Sequence, residues 1–332
     1  MTKRGISRKD FLKAGGVGAA GMALFAAGCG GAEEGGGSEG LVSRGDIRIE
    51  MPTHMVPPDP NTAIMQNGAE QAAKDMGVEV EFRGPDTFSI PEIQQIFESA
   101  IATKPDGIAA TVPDPDALAP LVEEAVKEGI PVVLFNAGLD VWSSAGALTY
   151  FGQTEKEAGA AAGERMADAG VTNAICFNQQ QGQLTLETRY DGFNEGLGGN
   201  AKNVAVDGTD PTAMRSGMET ALRQNPDADG VITLGPEAAA QALRAVESSG
   251  KGGQIKVATF DISPDVLKAV KSGDLLFAID QQMFLQTYLS ALTLINYVQY
   301  RLTPVTEVPT GPSFVTRENA QEIIELSSQG IH

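Results

Sequence analysis

The chain reads PDGI at residues 105–108 and IPVVLFN at residues 130–136. A similar pair follows, with ADGV at residues 228–231 and IKVATFD at residues 255–261. The glycines of the two pairs are 123 residues apart, and the polar residues that close the pairs are 125 residues apart. Two nearly equal spacings predict two halves that are built on corresponding strands.

From residue 46 onward, short β-branched runs alternate with longer segments of helical period. This alternation is typical of a parallel sheet that is covered on both faces by helices. The predicted strands are residues 47–51, 78–82, 107–110, 132–135, 172–177, 203–206, 230–233, 255–260 and 277–279. Because residues 46–332 exceed what one such core usually holds, we predict an α/β fold with two doubly wound parallel-sheet domains.

Two polar residues close corresponding strands of the predicted halves, Asn136 in one and Asp261 in the other. In open α/β sheets, ligands bind beyond the carboxyl ends of the strands. We therefore expect both side chains to face one cleft between the halves. An Asp or Asn at a strand end can instead cap the next helix. Ser263, directly before Pro264, is better placed for that role, which leaves Asp261 free.

The charge balance excludes several classes of partner. The formal net charge is -19, and residues 1–28 hold five of the 24 Lys and Arg but one of the 43 Asp and Glu. The rest of the chain therefore carries a net charge of -23. Such a surface repels phosphate backbones, and no basic cluster follows Arg48, so we expect no nucleic-acid partner.

Reactive side chains are few. Cys176 lies between apolar neighbours and is interpreted as a small core residue. The two histidines, His54 and His332, cannot form a histidine-rich metal site, so we expect no metal and no cofactor. The pattern Gly-x-Ser-x-Gly occurs at residues 36–40, inside the predicted tether, where it does not follow a predicted strand as a catalytic serine turn does. A phosphate-binding loop and a Cys/His cluster are absent from the sequence. A binding protein is therefore favoured over an enzyme.

Five ordered motifs carry a resemblance to a known family. They are residues 129–136, 150–153, 189–193, 259–261 and 278–282. With these motifs, residues 46–314 resemble the periplasmic sugar-binding proteins of ribose-binding type, which are the soluble components of ABC importers. The resemblance implies a monomer that closes on a sugar or polyol in the cleft between its domains and delivers it to an ABC transporter permease.

The resemblance also implies a hinge that the chain crosses several times. On this basis residues 46–150 and 282–308 are predicted to form the first lobe. Residues 151–281 and 309–332 are predicted to form the second lobe.

Planar polar side chains suit a ligand whose hydroxyl groups each donate and accept hydrogen bonds. By resemblance, Asp261 accepts from two hydroxyls, Arg189 donates to several oxygens, and Asn136 and Gln281 do both. Asn178, at the end of a predicted strand, is a fifth candidate. The alternatives are a surface salt bridge for Arg189 and an ordinary strand-end position for Gln281.

Two departures from the family pattern bear on the solute. Asn61-Thr62 stands where an aromatic pair is usual, and Gly235-Pro236 replaces a polar pair. Asn61 and His54 are therefore further candidate ligands, although a lone histidine is more often a loop residue. Trp142 either replaces the aromatic platform or has a structural role. These differences favour a short or acyclic polyol, or a pentose, over a hexopyranose.

The first 28 residues are interpreted as an export signal, with a basic start and a short apolar run. The run SRKDFLK at residues 7–13 resembles a twin-arginine signal in which Lys9 replaces the second arginine, which leaves the Tat and Sec routes open. AAGC at residues 26–29 resembles a bacterial lipobox. We predict acylation of Cys29 and a flexible tether over residues 29–45.

These inferences predict an extracytoplasmic solute-binding lipoprotein, anchored by lipid to the cell membrane in the cell envelope or periplasm. One alternative is a sensory binding protein that reports the same ligand to a membrane receptor. A carbohydrate-acting enzyme is the other. A sugar-responsive repressor needs a helix-turn-helix where this chain has a signal and a tether.

Overall fold

The computed structural model describes residues 43–57 and 59–332. The predicted export signal, the lipobox with Cys29 and the tether up to residue 42 lie outside these residues. The strands are β1 (Arg48–Pro52), β2 (Glu79–Arg83), β3 (Gly107–Ala110), β4 (Val132–Phe135), β5 (Tyr150–Gln153), β6 (Ala174–Asn178), β7 (Ala201–Ala205), β8 (Gly230–Thr233), β9 (Lys256–Phe260), β10 (Ala278–Asp280), β11 (Val308–Gly311) and β12 (Ser313–Val315). The helices are α1 (Pro60–Met76), α2 (Ile90–Ala102), α3 (Pro115–Lys127), α4 (Glu155–Asp168), α5 (Leu184–Gly196), α6 (Pro211–Gln224), α7 (Pro236–Ser248), α8 (Pro264–Ser272), α9 (Met283–Tyr300) and α10 (Ala320–Ser327).

Two six-stranded sheets organise these elements. The first has the order β11-β5-β4-β3-β1-β2, and all its neighbouring strands run parallel. The second has the order β12-β10-β9-β8-β6-β7 and is parallel except for β12, which runs antiparallel to β10. Apolar side chains are buried on both faces of each sheet. The predicted fold class is confirmed.

We call the first sheet with α1, α2, α3 and α9 the first lobe, and the second sheet with α4 to α8 and α10 the second lobe. Within the described residues the chain crosses between the sheets after β5, after β10 and between β11 and β12. Strands β5 and β11 lie in the first sheet. The predicted division at residues 150 and 308 places most residues of both strands in the other lobe, so it differs from the observed strand membership by about three residues at each point.

Helix α9 returns the chain to the first lobe after the second crossing. It packs against α1 and against β3, β4 and β5 of the first sheet. Its apolar character is explained by this burial from several sides. Across residues 43–57 and 59–332, no helix combines the length and the hydropathy needed to cross a bilayer.

Short polar side chains cap helices in both lobes. Asp59, Asp114 and Asp210 accept hydrogen bonds from backbone amides in the first turns of α1, α3 and α6. Ser263 Oγ likewise accepts from the amide of Val266, 3.2 Å away. The role predicted for Ser263 is confirmed, and the Asp261 carboxylate does not cap α8.

Helices α4 and α5 approach each other closely because glycines face their partner's backbone. A Cβ atom at Gly192 would collide with the carbonyl oxygen of Lys156, and one at Gly159 would collide with that of Arg189. This close approach positions two side chains of the cleft, since α4 begins with Glu155 and α5 carries Arg189.

Gly192→Ala is expected to destabilise the protein by about 1–3 kcal/mol, because the added methyl group forces the two helices apart. Gly217, inside α6, is the matched control. A Cβ atom there would meet Val206 Cγ1 at 3.7 Å, an ordinary contact. Gly217→Ala is expected to stabilise by about 0.5–1 kcal/mol through helix propensity. Urea unfolding of both variants checks this, and effects of the same sign would contradict it.

Candidate functional site

Asn136 and Asp261 occupy equivalent positions in the two lobes. Each directly follows the strand that carries it, β4 or β9, and each has a left-handed backbone, with φ of +60° and +61°. Asn and Asp adopt this conformation more readily than other non-glycine residues. The repeat in the sequence therefore corresponds to a repeated strand-end conformation that places both residues at the carboxyl edges of their sheets.

Asp261 is the most strongly perturbed acid at this edge. Gln281 Nε2 donates to its Oδ1 over 2.6 Å, and Arg189 Nη1 lies 4.0 Å from its Oδ2. Burial raises the pKa of Asp261 to about 6, although Arg189 and the hydrogen bond from Gln281 oppose the rise. At neutral pH the carboxylate is charged, yet it is held in surroundings that do not fully solvate it.

Arg189 is buried, with 3 % of its surface exposed. Its Nε donates to Glu155 Oε2 over 2.6 Å and its Nη1 to the carbonyl oxygen of Leu234 over 3.0 Å. The guanidinium also lies over the ring of Phe260, 4.5 Å from its centroid. A surface salt bridge, the alternative considered for Arg189, is wrong, because this residue is held inside the second lobe beside Asp261.

Glu155 is a residue that sequence reasoning missed. Besides Arg189, its Oε2 accepts from Gln153 Nε2 of the first sheet over 3.0 Å. An acid in the first turn of a helix is common for electrostatic reasons alone. The only signal in the sequence for a further role of Glu155 was its position two residues after the motif at residues 150–153.

On the other side of Asp261, the hydrogen bonds continue into the first lobe. Gln286 Nε2 donates to the carbonyl oxygen of Gln281 over 3.1 Å, and Asn136 Nδ2 donates to Gln286 Oε1 over 3.1 Å. We call the connected set the cleft network. Its members are Asn136, Gln286, Gln281, Asp261, Arg189, Glu155 and Gln153. The network begins and ends in the first lobe and passes through the second.

A small pocket opens beside the network. Its polar wall includes Asn61, Asp261 and Gln281, and its apolar wall includes Ile64 and Met283. Asn61 comes from α1 of the first lobe, whereas Asp261 belongs to the second, so residues of both lobes line the pocket. Walls of this kind offer partners both to hydroxyl groups and to carbon-bound hydrogens.

Two predicted ligands have partners within their own lobe. Asn178 is fully buried, donates to Glu187 Oε1 over 2.9 Å and accepts from the amide of Gln180 over 2.9 Å. His54 Nδ1 lies 2.9 Å from Thr111 Oγ1, and burial lowers the pKa of His54 to about 4, so its ring is neutral at pH 7. Their roles in binding stay predictions.

Gln179 is a second residue that sequence reasoning missed. It follows β6, and its Oε1 is buried without a hydrogen-bond partner among the described residues. A Cβ atom at Gly235 would lie 2.5 Å from Gln179 Nε2. The glycine that replaces a polar residue of the family pattern thus leaves room for this amide.

Trp142 packs against the hydrophobic core of the first lobe. Of the two roles considered for it, this contact favours the structural one.

Residues 55–301 match the sequence model of the periplasmic binding protein domain. The chain belongs to the periplasmic binding protein family. The resemblance to sugar-binding proteins of ribose-binding type is confirmed. Described members of this family are binding proteins of transport systems rather than enzymes.

Two relatives with assigned roles are similar in sequence to this binding protein. The ribose import binding protein RbsB of Salmonella typhimurium is 26% identical over 230 residues, which are 67% of this chain and 75% of the relative. The xylose/arabinose-binding protein XylF of Sulfolobus acidocaldarius is 25% identical over 278 residues, which are 79% of this chain and 69% of the relative.

This chain is also similar to solved structures of other proteins. A carbohydrate transporter from Acidothermus cellulolyticus 11B, in complex with myo-inositol, is 37% identical with a TM-score of 0.78, and covers 86% of this chain and 100% of its own. The arabinose binding protein AraP from Geobacillus stearothermophilus is 27% identical with a TM-score of 0.70, and covers 83% of this chain and 99% of its own.

Proposed function

We propose that this protein captures a cyclic polyol or a small sugar by closure of its two lobes and delivers it to an ABC importer. The observation that carries the proposal is the cleft network, in which Asp261 and Gln281 line a pocket shared by both lobes and Arg189 lies 4.0 Å from the Asp261 carboxylate. A solute held from both sides stabilises the closed arrangement through contacts that an open one cannot make.

The chemistry of the pocket supports a polyhydroxylated ring as the ligand class. Charged and amide side chains match hydroxyl groups, and Ile64 and Met283 match the carbon face of a ring. The similar Acidothermus protein holds myo-inositol, a ring in which every carbon carries a hydroxyl group. Asn61 and Thr62 stand in place of an aromatic pair. We rank inositols first because of the Acidothermus complex, and we rank pentoses above hexopyranoses because the aromatic pair that would stack on a hexopyranose ring is replaced.

A thermal-shift screen of inositols, pentitols, tetritols, pentoses and hexoses tests this ranking. At a hundred times its dissociation constant, a bound solute adds about 2.7 kcal/mol to the free energy of unfolding, which raises the melting temperature by several degrees. An inositol or a pentose is expected to give the largest rise. A rise with hexopyranoses alone would contradict the ligand class, and the absence of any rise would contradict the function.

The proposal includes a lipid anchor at Cys29, supported by the lipobox-like AAGC at residues 26–29 and by the polar segment that follows it. Cys29→Ala is expected to move the protein from the membrane fraction to the soluble fraction of cells that express the full chain. Metabolic labelling with a fatty acid should mark the wild type but not the variant. Equal labelling of both would rule out this cysteine as the anchor.

A further inference from the structure

The segment that follows α10 crosses from one lobe to the other. Helix α10 packs against α8 in the second lobe. Beyond it, the carbonyl oxygen of Gly330 accepts a hydrogen bond of 3.1 Å from Nδ2 of Asn67, which lies on α1 of the first lobe. We call residues 329–332 the strap.

The strap ends on a buried carboxylate at a crossing between the lobes. His332 Nδ1 lies 2.6 Å from Oδ2 of Asp280, the last residue of β10. The other oxygen, Oδ1, accepts from the backbone amide of Gln282 over 2.7 Å. Asp280 is 5 % exposed. A carboxylate this deeply buried needs partners for both oxygens, so the contact with His332 is costly to break.

The same imidazole is part of the wall of the candidate solute pocket, together with Asn61, Asp261 and Gln281. Because Nδ1 faces a carboxylate, Nδ1 donates to Asp280 and Nε2 is left for a hydrogen bond with another group. The side chain of His332 is 17% exposed, so it is open to the pocket rather than sealed within a core.

We propose that His332 contacts the bound solute and that the strap, by holding this residue across both lobes, favours the closed arrangement. The inference rests on the function proposed above, since it concerns the same pocket. It adds a ligand-contacting residue outside the motifs that carry the family resemblance, and it assigns a role to the segment after α10.

Gly330 gives a way to displace the strap without substituting a residue of the pocket wall. Its φ of +74° lies in the left-handed region, and a Cβ atom there would collide with Asn67 Nδ2. Gly330→Ala should therefore dislodge the strap from α1 while leaving His332 in the chain. Gln329→Ala, at an exposed position of the same segment, is the matched control.

The experiment combines small-angle scattering without solute and calorimetry with the solute that the thermal-shift screen identifies. His332→Ala and Gly330→Ala are expected to increase the solute-free radius of gyration, whereas Gln329→Ala should leave it unchanged. His332→Ala is expected to weaken binding by about tenfold or more, and the control should stay within about twofold of the wild type.

The outcomes separate this inference from the proposed function. If no solute binds the wild type, the proposed function fails, and an unchanged solute-free radius in both strap variants would then overturn the tie between the lobes as well. If the wild type binds a solute but His332→Ala binds it as tightly as Gln329→Ala, His332 is not a ligand. If His332→Ala binds the solute with wild-type affinity but has a larger solute-free radius of gyration, the proposal also fails. The strap would then hold the lobes together without contributing to the pocket.

Discussion

Replacing Arg189 by alanine is expected to lower the free energy of unfolding by about 3–5 kcal/mol and to abolish measurable solute binding. The guanidinium is 2.6 Å from Glu155 and 4.0 Å from Asp261, and only 3 % of the residue is exposed. Without it, two carboxylates remain in a poorly solvated cleft with no opposite charge between them. Urea unfolding at pH 7 measures the loss.

Two further variants isolate the electrostatic cause of this loss. Arg165, whose guanidinium lies 4.7 Å from the centroid of Phe314, is an exposed arginine on an aromatic ring. Arg165→Ala is expected to lower the free energy of unfolding by less than about 1 kcal/mol.

A double variant tests the unpaired charge itself. Adding Glu155→Gln to Arg189→Met should restore part of the stability that Arg189→Met loses, because one of the unpaired charges is removed. Strictly additive losses in the double variant would contradict this explanation.

Asp261→Asn is expected to weaken solute binding at pH 7 by about 2 kcal/mol, or about thirtyfold, because hydrogen bonds to a charged acceptor are stronger than those to a neutral one. Asparagine tolerates the left-handed backbone of this position and can still accept from Gln281. The variant therefore tests the charge and not the fold. Isothermal titration calorimetry measures the change.

The pH dependence follows from the pKa of Asp261, which burial raises from 3.8 to about 6. Solute hydroxyls that donate to the carboxylate favour its charged form, so affinity should be nearly constant above about pH 7 and fall as the pH is lowered through about 6. Asp261→Asn should show a flat profile. A wild-type affinity that is unchanged between pH 7 and pH 5 would remove Asp261 from the site.

Stability without solute should respond in the opposite direction. Because the pKa of Asp261 is higher in the folded than in the unfolded chain, the folded state keeps the proton on Asp261 to a higher pH than the unfolded chain does. The contribution of this group to stability is therefore complete below about pH 4 and is lost as the pH rises to about 6. Above pH 6, Asp261→Asn should be at least as stable as the wild type while it binds less tightly. Lower stability and weaker binding together would indicate a damaged fold.

Features that depend on residues close together in the sequence could be predicted. The repeat that ends in Asn136 and Asp261 indicated two corresponding halves, because parallel strands buried on both faces need continuous apolar runs. The cap at Ser263 was equally local, since an N-cap depends on a side chain and amides three residues away. Strands β3, β4 and β8 have the predicted bounds for the same reason.

Strands β5, β11 and β12 were not predicted as strands. The first contains Gly152 and Gln153, the second contains Pro309 and Gly311, and the third has three residues. None has the β-branched run that indicates a strand. Strand β5 pairs with β4, β11 with β5 and β12 with β10, so each satisfies backbone groups of a neighbouring strand that would otherwise be left unpaired.

The sequence by itself determined the two-lobed α/β fold and the strand-end positions of Asn136 and Asp261, because periodicity, caps and strand ends are encoded within a few residues. Only the tertiary structure decided which distant groups meet. Glu155 reaches Arg189 because glycines let α4 and α5 approach, and His332 reaches Asp280 where Asn67 of α1 holds Gly330 of the strap. Such contacts depend on packing between elements far apart in the chain, and no local pattern records them.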